Sequence, residues 1–158
     1  MTEQSNTSLE QRAHNIRRHA LRMAAVQVDR QLGPGKRAVL AGLRAYNAKQ
    51  VGRIDHVPLS VTLREKRNIV GAVVGDTHLG WLFVQWFWID EKYRGKGFGT
   101  RLLTTAEAEA RKRGAKNVYL DTWSFQAPGF YKKLGYREFG RLDDYPPGHY
   151  RAWMTKAL

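Results

Sequence analysis

The spacing of apolar residues changes period twice along this chain. From Lys36 to Gln50, Val39, Leu40, Leu43 and Tyr46 recur at helical spacing, and Gly52 follows as a stop. From Val57 the period falls to two: Val57, Leu59, Val61 and Leu63 alternate with polar residues, which predicts a half-buried strand. "NIVGAVVGD" predicts a second strand, and "DTHLG" a turn into a third, "WLFVQWFWI". In that third strand Trp81, Phe83, Phe87 and Ile89 fall on one alternating face and Leu82, Val84, Trp86 and Trp88 on the other. A strand apolar on both sides is expected at the centre of a sheet, covered on both faces. Gln85 is its only polar side chain, expected to bond a neighbour, with a substrate contact as the other option.

The helical period returns with Leu102, Leu103, Ala106 and Ala110 and ends at Gly114, a suitable C′ residue. "NVYLDTW" predicts a strand, and "APGFYKKLG" a short helix with Pro128 near its start and Gly135 at its end. "YREFGRL" and "HYRAWMTK" predict a final hairpin around the turn formers "DDYPPG". Toward the N-terminus, "RMAAVQVDRQ" suits helix or strand, and "LGPGK" predicts a break. No repeat or linker divides the rest. The expectation is one α/β domain over residues 21–158, after a flexible or helical basic extension over residues 1–20.

Composition narrows the function. With 158 residues the chain holds one domain with a real core. Cysteine is absent, which excludes a disulfide framework, a thiolate nucleophile and a Cys-based zinc site. The histidines, His14, His19, His56, His78 and His149, show no metal spacing along the chain, so no metal is expected. No apolar run is long enough to span a bilayer and the first residues lack a signal-peptide layout, so a cytoplasmic protein without membrane contact is expected. The net charge of +13 would favour anionic partners, nucleic acid among them. Arg111 to Arg113 nevertheless sit where a helix ends, where cations complement its dipole, and Glu107–Arg111 and Glu109–Arg113 are i,i+4 pairs. Solubility and helix dressing are therefore favoured over a nucleic-acid surface.

The stretch "YRGKGFGTRLL" asks for a specific explanation. Gly95, Gly97 and Gly99 weaken the start of a helix, because glycine has the most backbone entropy to lose. A Walker A loop does not fit, since its G-x-x-x-x-G-K-S/T spacing is absent. A dinucleotide fingerprint fails as well, because its third glycine would fall on Thr100. What remains is Arg94, Gly97 and Gly99 between a buried strand and an amphipathic helix. Free amides there, with Arg94 and Lys96 beside them, make a site for a pyrophosphate.

"WIDEKYRGKGFGTRLL" resembles the acetyl-CoA motif of the GNAT N-acetyltransferase superfamily, a hydrophobic residue, Val/Ile and Asp, then Arg/Gln-x-x-Gly-x-Gly/Ala. "LDTWSFQAPGFYKKLGYREFG" resembles the family's second signature, strand, loop, then Phe/Leu-Tyr-x-x-x-Gly-Phe/Tyr, and "GHYRAWMTKAL" its last strand. The similarity runs from about Lys36 to Leu158. It implies the GNAT fold, a single mixed central sheet with helices on both faces, with "RMAAVQVDRQ" as its first strand.

The resemblance also implies chemistry. Acetyl-CoA would be the donor, its pyrophosphate on the amides of Arg94, Gly95, Lys96, Gly97, Phe98, Gly99 and Thr100. Its pantetheine arm would lie against the backbone of Trp88 and Ile89, in a gap between that strand and the one at Asn117 to Trp123. Tyr131 falls on the family's general-acid tyrosine, and a phenol suits protonation of a departing thiolate. Many relatives carry a carboxylate base on the strand before the glycines. None stands here, so Asp121 is the substitute, with a structural aspartate or a water chain as alternatives. Ser124 stands where relatives often have a cofactor-contacting asparagine, and Gln126 is a second candidate for that contact. Acceptor candidates are Tyr46, Asn47, Asp143, Asp144, Tyr145 and His149, with Gln85.

The reading is a direct acetyl transfer from acetyl-CoA to an amine of a small molecule or peptide, by a monomer or a homodimer. Two rivals stand beside it. One is an RNA-directed enzyme acting on aminoacyl-tRNA through the basic N-terminal half. The other is a non-catalytic module that binds acyl-CoA or nucleic acid.

Overall fold

A computed structural model describes residues 25–158. The first helix, α1 (Leu32–Val51), begins inside "LGPGK", where a break is expected from sequence. Pro34 lies in its first turn, where the missing N–H would have no intrahelical acceptor anyway. Gly52 ends the helix at φ 74°, its amide donating to Ala48 O at 3.1 Å. Residues 25–31 form neither helix nor strand, so the strand expected in "RMAAVQVDRQ" does not form over its described part. Residues 1–20, with His14 and His19, lie outside the described residues.

The compact unit Asn47–Leu158 is built on one sheet. Its strands are β1 (Val57–Glu65), β2 (Asn68–His78), β3 (Trp81–Ile89), β4 (Asn117–Trp123), β5 (Arg137–Asp143) and β6 (Tyr150–Ala157). They lie in the order β1-β2-β3-β4-β6-β5, with β3 and β4 parallel and every other neighbour antiparallel. This is the expected α/β class with a mixed sheet. A crossover through α2 (Phe98–Lys112) makes the parallel pair. Leu102, Leu103, Ala106 and Ala110 of α2 close the core over Leu59, Val73, Leu82, Val118, Leu120 and Met154. Gly114 (φ 86°) follows the helix as expected. Strand β2 runs to His78, so most of "DTHLG" is strand. The turn is Leu79–Gly80 alone, both at positive φ, which matches the right-handed twist of the hairpin.

The feature that shapes the site is a β-bulge. Val74 pairs with Trp86 and Gly75 with Val84, which leaves Gln85 as an extra residue in β3. The extra residue reverses the side-chain alternation. Leu82 and Val84 before it, and Phe87 and Ile89 after it, therefore join the same core. Trp86 and Trp88 turn to the opposite face, where they are 64% and 52% exposed. Both sequence expectations for this strand are corrected: its faces do not hold one phase throughout, and Trp86 and Trp88 are not covered. Gly75 makes the bulge possible. A Cβ there would lie 1.9 Å from the carbonyl oxygen of Phe83. Before the bulge, Trp81 to Val84 pair with Asn117 to Leu120. Past it the parallel pairing stops, and a gap opens between β3 and β4.

Glu107 is another correction. Its carboxylate is buried rather than dressing the helix surface. Tyr136 Oη donates to it at 2.8 Å and Lys156 Nζ at 2.8 Å, whereas Arg111 Nη2 stands off at 4.0 Å. Burial and the Glu107 charge push the Tyr136 hydroxyl pKa up. The neighbouring pair behaves as expected: Arg113 Nε meets Glu109 at 3.0 Å, and its Nη1 reaches Pro58 O at 2.8 Å.

Candidate active site

The gap beyond Val84 is the mouth of a cleft of about 630 Å³. Phe87, Trp88 and Ile89 form one wall, and Thr122, Phe125, Gln126 and Ala127 the other. Arg94, Gly95, Gly97, Gly99 and Thr100 make one end. Phe130 and Tyr131 of the short helix α3 (Pro128–Lys133) complete it.

The loop into α2 is held open by its glycines. A 3-10 turn (Glu91–Tyr93) is capped by Asp90, whose carboxylate accepts from Lys92 N at 3.0 Å. Gly95 (φ 72°) and Gly97 (φ 80°) then take left-handed conformations that disfavour any side chain. Gly97 is the N-cap of α2, without a side-chain cap bond. The helix's first bond is Arg101 N to Gly97 O, 3.2 Å. Among the described residues, the amides of Gly95 to Thr100 find no backbone acceptor. Such amides at a helix start suit an anion, and Arg94 adds charge. Arg94 Nε donates to Ile89 O at 3.0 Å, which fixes its guanidinium beside the end of β3.

Gly99 has a different task. Its conformation is ordinary, but a Cβ would meet the Phe130 ring at 3.3 Å and Ile89 Cδ1 at 3.4 Å. It lets α2 pack closely onto β3 and α3. Lys96 and Phe98 do not line the cleft. They turn to Tyr93, Lys96 Nζ 5.9 Å and the Phe98 ring 6.2 Å from its ring centroid.

Tyr131 is buried, its ring edge-on to Phe130 at 5.2 Å and to Tyr136 at 5.7 Å. Among the described residues, no buried side-chain polar atom lacks a partner. The Tyr131 hydroxyl shares no hydrogen bond with a protein group there, so it opens on the cleft it lines. Burial, and then the charge of Asp121, push its pKa up to about 12. The phenol therefore keeps its proton throughout the neutral range.

Asp121 is not brought to the cleft. Val118, Leu120 and Thr122 of β4 point into the core, so the period of two turns Asp121 to the other face. There Arg151 Nε donates to its carboxylate at 2.6 Å. Ser124 also points away: its Oγ lies 3.0 Å from His149 Nδ1 and accepts from Tyr150 N at 3.3 Å, stitching the loop to β6. Gln126 does line the cleft. Its Oε1 accepts from Trp123 N at 3.0 Å and Thr122 Oγ1 at 3.4 Å, which leaves the amide nitrogen end for a ligand. The residues lining the cleft include no carboxylate and no histidine.

The acceptor candidates are scattered. Tyr46 and Asn47 are exposed on α1, and Gln85 is the exposed bulge residue. Asp143 ends β5 with Arg141 Nη1 3.9 Å away. Asp144 accepts from Gly148 N at 2.8 Å and so closes its own loop. Sequence reasoning missed Trp123 and Phe125, which gather its candidates Tyr145 and His149: Trp123 stacks on Phe125 at 5.8 Å and meets Tyr145 at 5.1 Å, and His149 stands edge-on to Phe125 at 5.0 Å. The clue was the interleaving of aromatics in "TWSF" with a tyrosine in the hairpin loop. The histidines are not all separate, either. His56 and His78 both lie against Asp76.

Residues 30–136 match the family model described as the acetyltransferase (GNAT) family. An acetyltransferase of Agrobacterium fabrum is 37% identical over 122 residues, 77% of this chain and 89% of that protein. The blasticidin-S acetyltransferase of Streptomyces morookaense is 45% identical over 95 residues, 60% of this chain and 70% of that protein. The crystal structure of an acetyltransferase from Bacillus cereus superposes with a TM-score of 0.78 at 30% identity, covering 84% of this chain and 98% of that one. The chain belongs to the acetyltransferase (GNAT) family and is an acetyl-CoA-dependent N-acetyltransferase.

Proposed function

We propose that the protein, acting in the cytoplasm, carries the acetyl group of acetyl-CoA directly to the amine of a small molecule. One observation carries this reading: a single cleft joins the free amides of Gly95 to Thr100 at one end to the Tyr131 hydroxyl. The amides and Arg94 would hold the pyrophosphate, and β3 at Trp88 and Ile89, past the end of its pairing with β4, would flank the pantetheine arm. Gln126 would contact the cofactor from the β4 side. Acetyl-CoA supplies the thioester; the amine's lone pair bonds to its carbonyl carbon, and the C–S bond breaks. Tyr131 holds a proton at Oη for the departing sulfur. A phenol raised to about 12 is a weaker acid than an ordinary thiol of about 8.5. The same desolvation raises the pKa of a thiol beside it, which narrows that difference and favours the transfer. With no carboxylate on the lining, the amine's proton leaves through water.

A small-molecule acceptor is supported by the 45% identical relative, whose name specifies blasticidin S. The test is free-thiol release from acetyl-CoA with blasticidin S, other small amines, a short peptide and an aminoacyl-tRNA. Turnover with a small amine is expected; turnover with aminoacyl-tRNA alone would overturn the reading.

The pH profile follows from the same residues. Tyr131 is active when protonated, so its raised pKa keeps the acid form until the pH approaches about 12. Rate should therefore climb as the acceptor amine deprotonates and then level off. A fall between pH 8 and 10 that Tyr131→Phe abolishes would contradict the raised pKa while supporting the acid role.

A further inference from the structure

We infer that His56, Asp76 and His78 form a binding site for a divalent transition-metal ion of the zinc class, separate from the acetyl-transfer cleft. The sequence places two of the ligands together. Asp76 and His78 are two residues apart on β2, so their side chains share one face. The antiparallel register then brings in the third. Val57 pairs with Thr77 and Pro58 with Asp76, which sets His56, just before β1, across from His78.

The donor atoms converge. His56 Nδ1 lies 2.9 Å and His78 Nδ1 2.6 Å from the same oxygen, Asp76 Oδ1. The rings lie side by side, their centroids 4.3 Å apart. One ligand atom from each residue falls within 4.8 Å of the others. A four-coordinate ion with bonds of about 2.0–2.1 Å needs its ligands roughly 3.4 Å apart, so the shortest separation must open by about 0.8 Å and the widest close by at most about 1.4 Å, within reach of side-chain rotation. Two imidazoles and one carboxylate suit zinc and its neighbours rather than magnesium or calcium, which take oxygen ligands.

A satisfied carboxylate–histidine pair would need one ring, and here two rings aim at one oxygen. In a chain of net charge +13, Asp76 has no Lys or Arg ion partner among the described residues. His56 is 60% exposed, so the fourth position faces water.

The site is not catalytic. His78 pairs with Trp81, seven residues before Trp88 of the cleft, about 23 Å along an extended strand. Its place in the fold gives it a structural role: β1 is the edge of the sheet, and the ion would clip its first residues to the end of β2.

The experiment is calorimetric titration of Zn²⁺ into the chelator-stripped chain, purified without a histidine tag. One ion per chain with micromolar or tighter affinity is expected, with no response to Mg²⁺ and a raised melting temperature. Affinity should fall at least a hundredfold in His78→Ala and in the double variant His56→Ala/His78→Ala, while acetyl transfer is unchanged. No saturable binding, or equal binding in the double variant, would overturn the site. Should the variants fail to fold, Co²⁺ on the wild-type chain decides: intense visible bands of a four-coordinate ion support the site, and their absence contradicts it.

Discussion

Tyr131→Phe is expected to lower turnover by about 10²-fold or more while acetyl-CoA affinity stays within about threefold. The substitution removes one oxygen and keeps the ring, so its contacts with Phe87, Phe130 and Tyr136 persist. No protein group loses a hydrogen bond, because the hydroxyl opens on the cleft. The proton it carries is needed only as the C–S bond breaks, so the loss belongs in kcat rather than in donor binding. Steady-state kinetics with a saturating acceptor, beside calorimetry with acetyl-CoA, separate the two. Near-wild-type turnover would reduce Tyr131 to a ring that packs α3 onto the core.

Gly75→Ala should have the largest effect on stability, about 3 kcal/mol or more, which lowers the melting temperature by roughly 10 °C. The added Cβ would lie 1.9 Å from Phe83 O and 2.9 Å from its carbonyl carbon, both backbone atoms that cannot rotate aside. Relief requires β3 to move, and with it the bulge at Gln85 that parts β3 from β4. Donor affinity should therefore fall together with stability. Gly140→Ala is the comparison, since nothing lies within 4 Å of its added Cβ, and its melting temperature should stay near that of the wild type. A Gly75→Ala protein with unchanged melting and unchanged acetyl-CoA affinity would show that the bulge does not open the cleft.

What could be read along the chain was local. The period of β1, the apolar face of α2 and the stops at Gly52, Gly114 and Gly135 each arise from residues a few positions apart. The loop at Arg94 to Thr100 was legible for the same reason, as glycine spacing at a helix start carries its own cause. The bulge was not, because the glycine that permits it sits on a different strand from the residue it expels. Glu107 appeared to be a surface residue because Arg111 is four positions away, whereas its partners are Tyr136 and Lys156. Asp121 failed on register, which one residue decides. The histidine–aspartate group needed the pairing of β1 with β2, since His56 and Asp76 are twenty positions apart.

In the proposed mode of binding, the glycine-loop amides hold acetyl-CoA in the gap between β3 and β4. Amide hydrogen exchange tests it without any substitution. In the free protein the amides of Gly95 to Thr100 have no backbone acceptor and should exchange fast. Saturating acetyl-CoA should slow exchange there and at Ile89, whose amide faces away from β2, with the amides of β5 unchanged. Acetyl-CoA bound to saturation, with exchange at Gly95 to Thr100 as fast as before, would contradict the account.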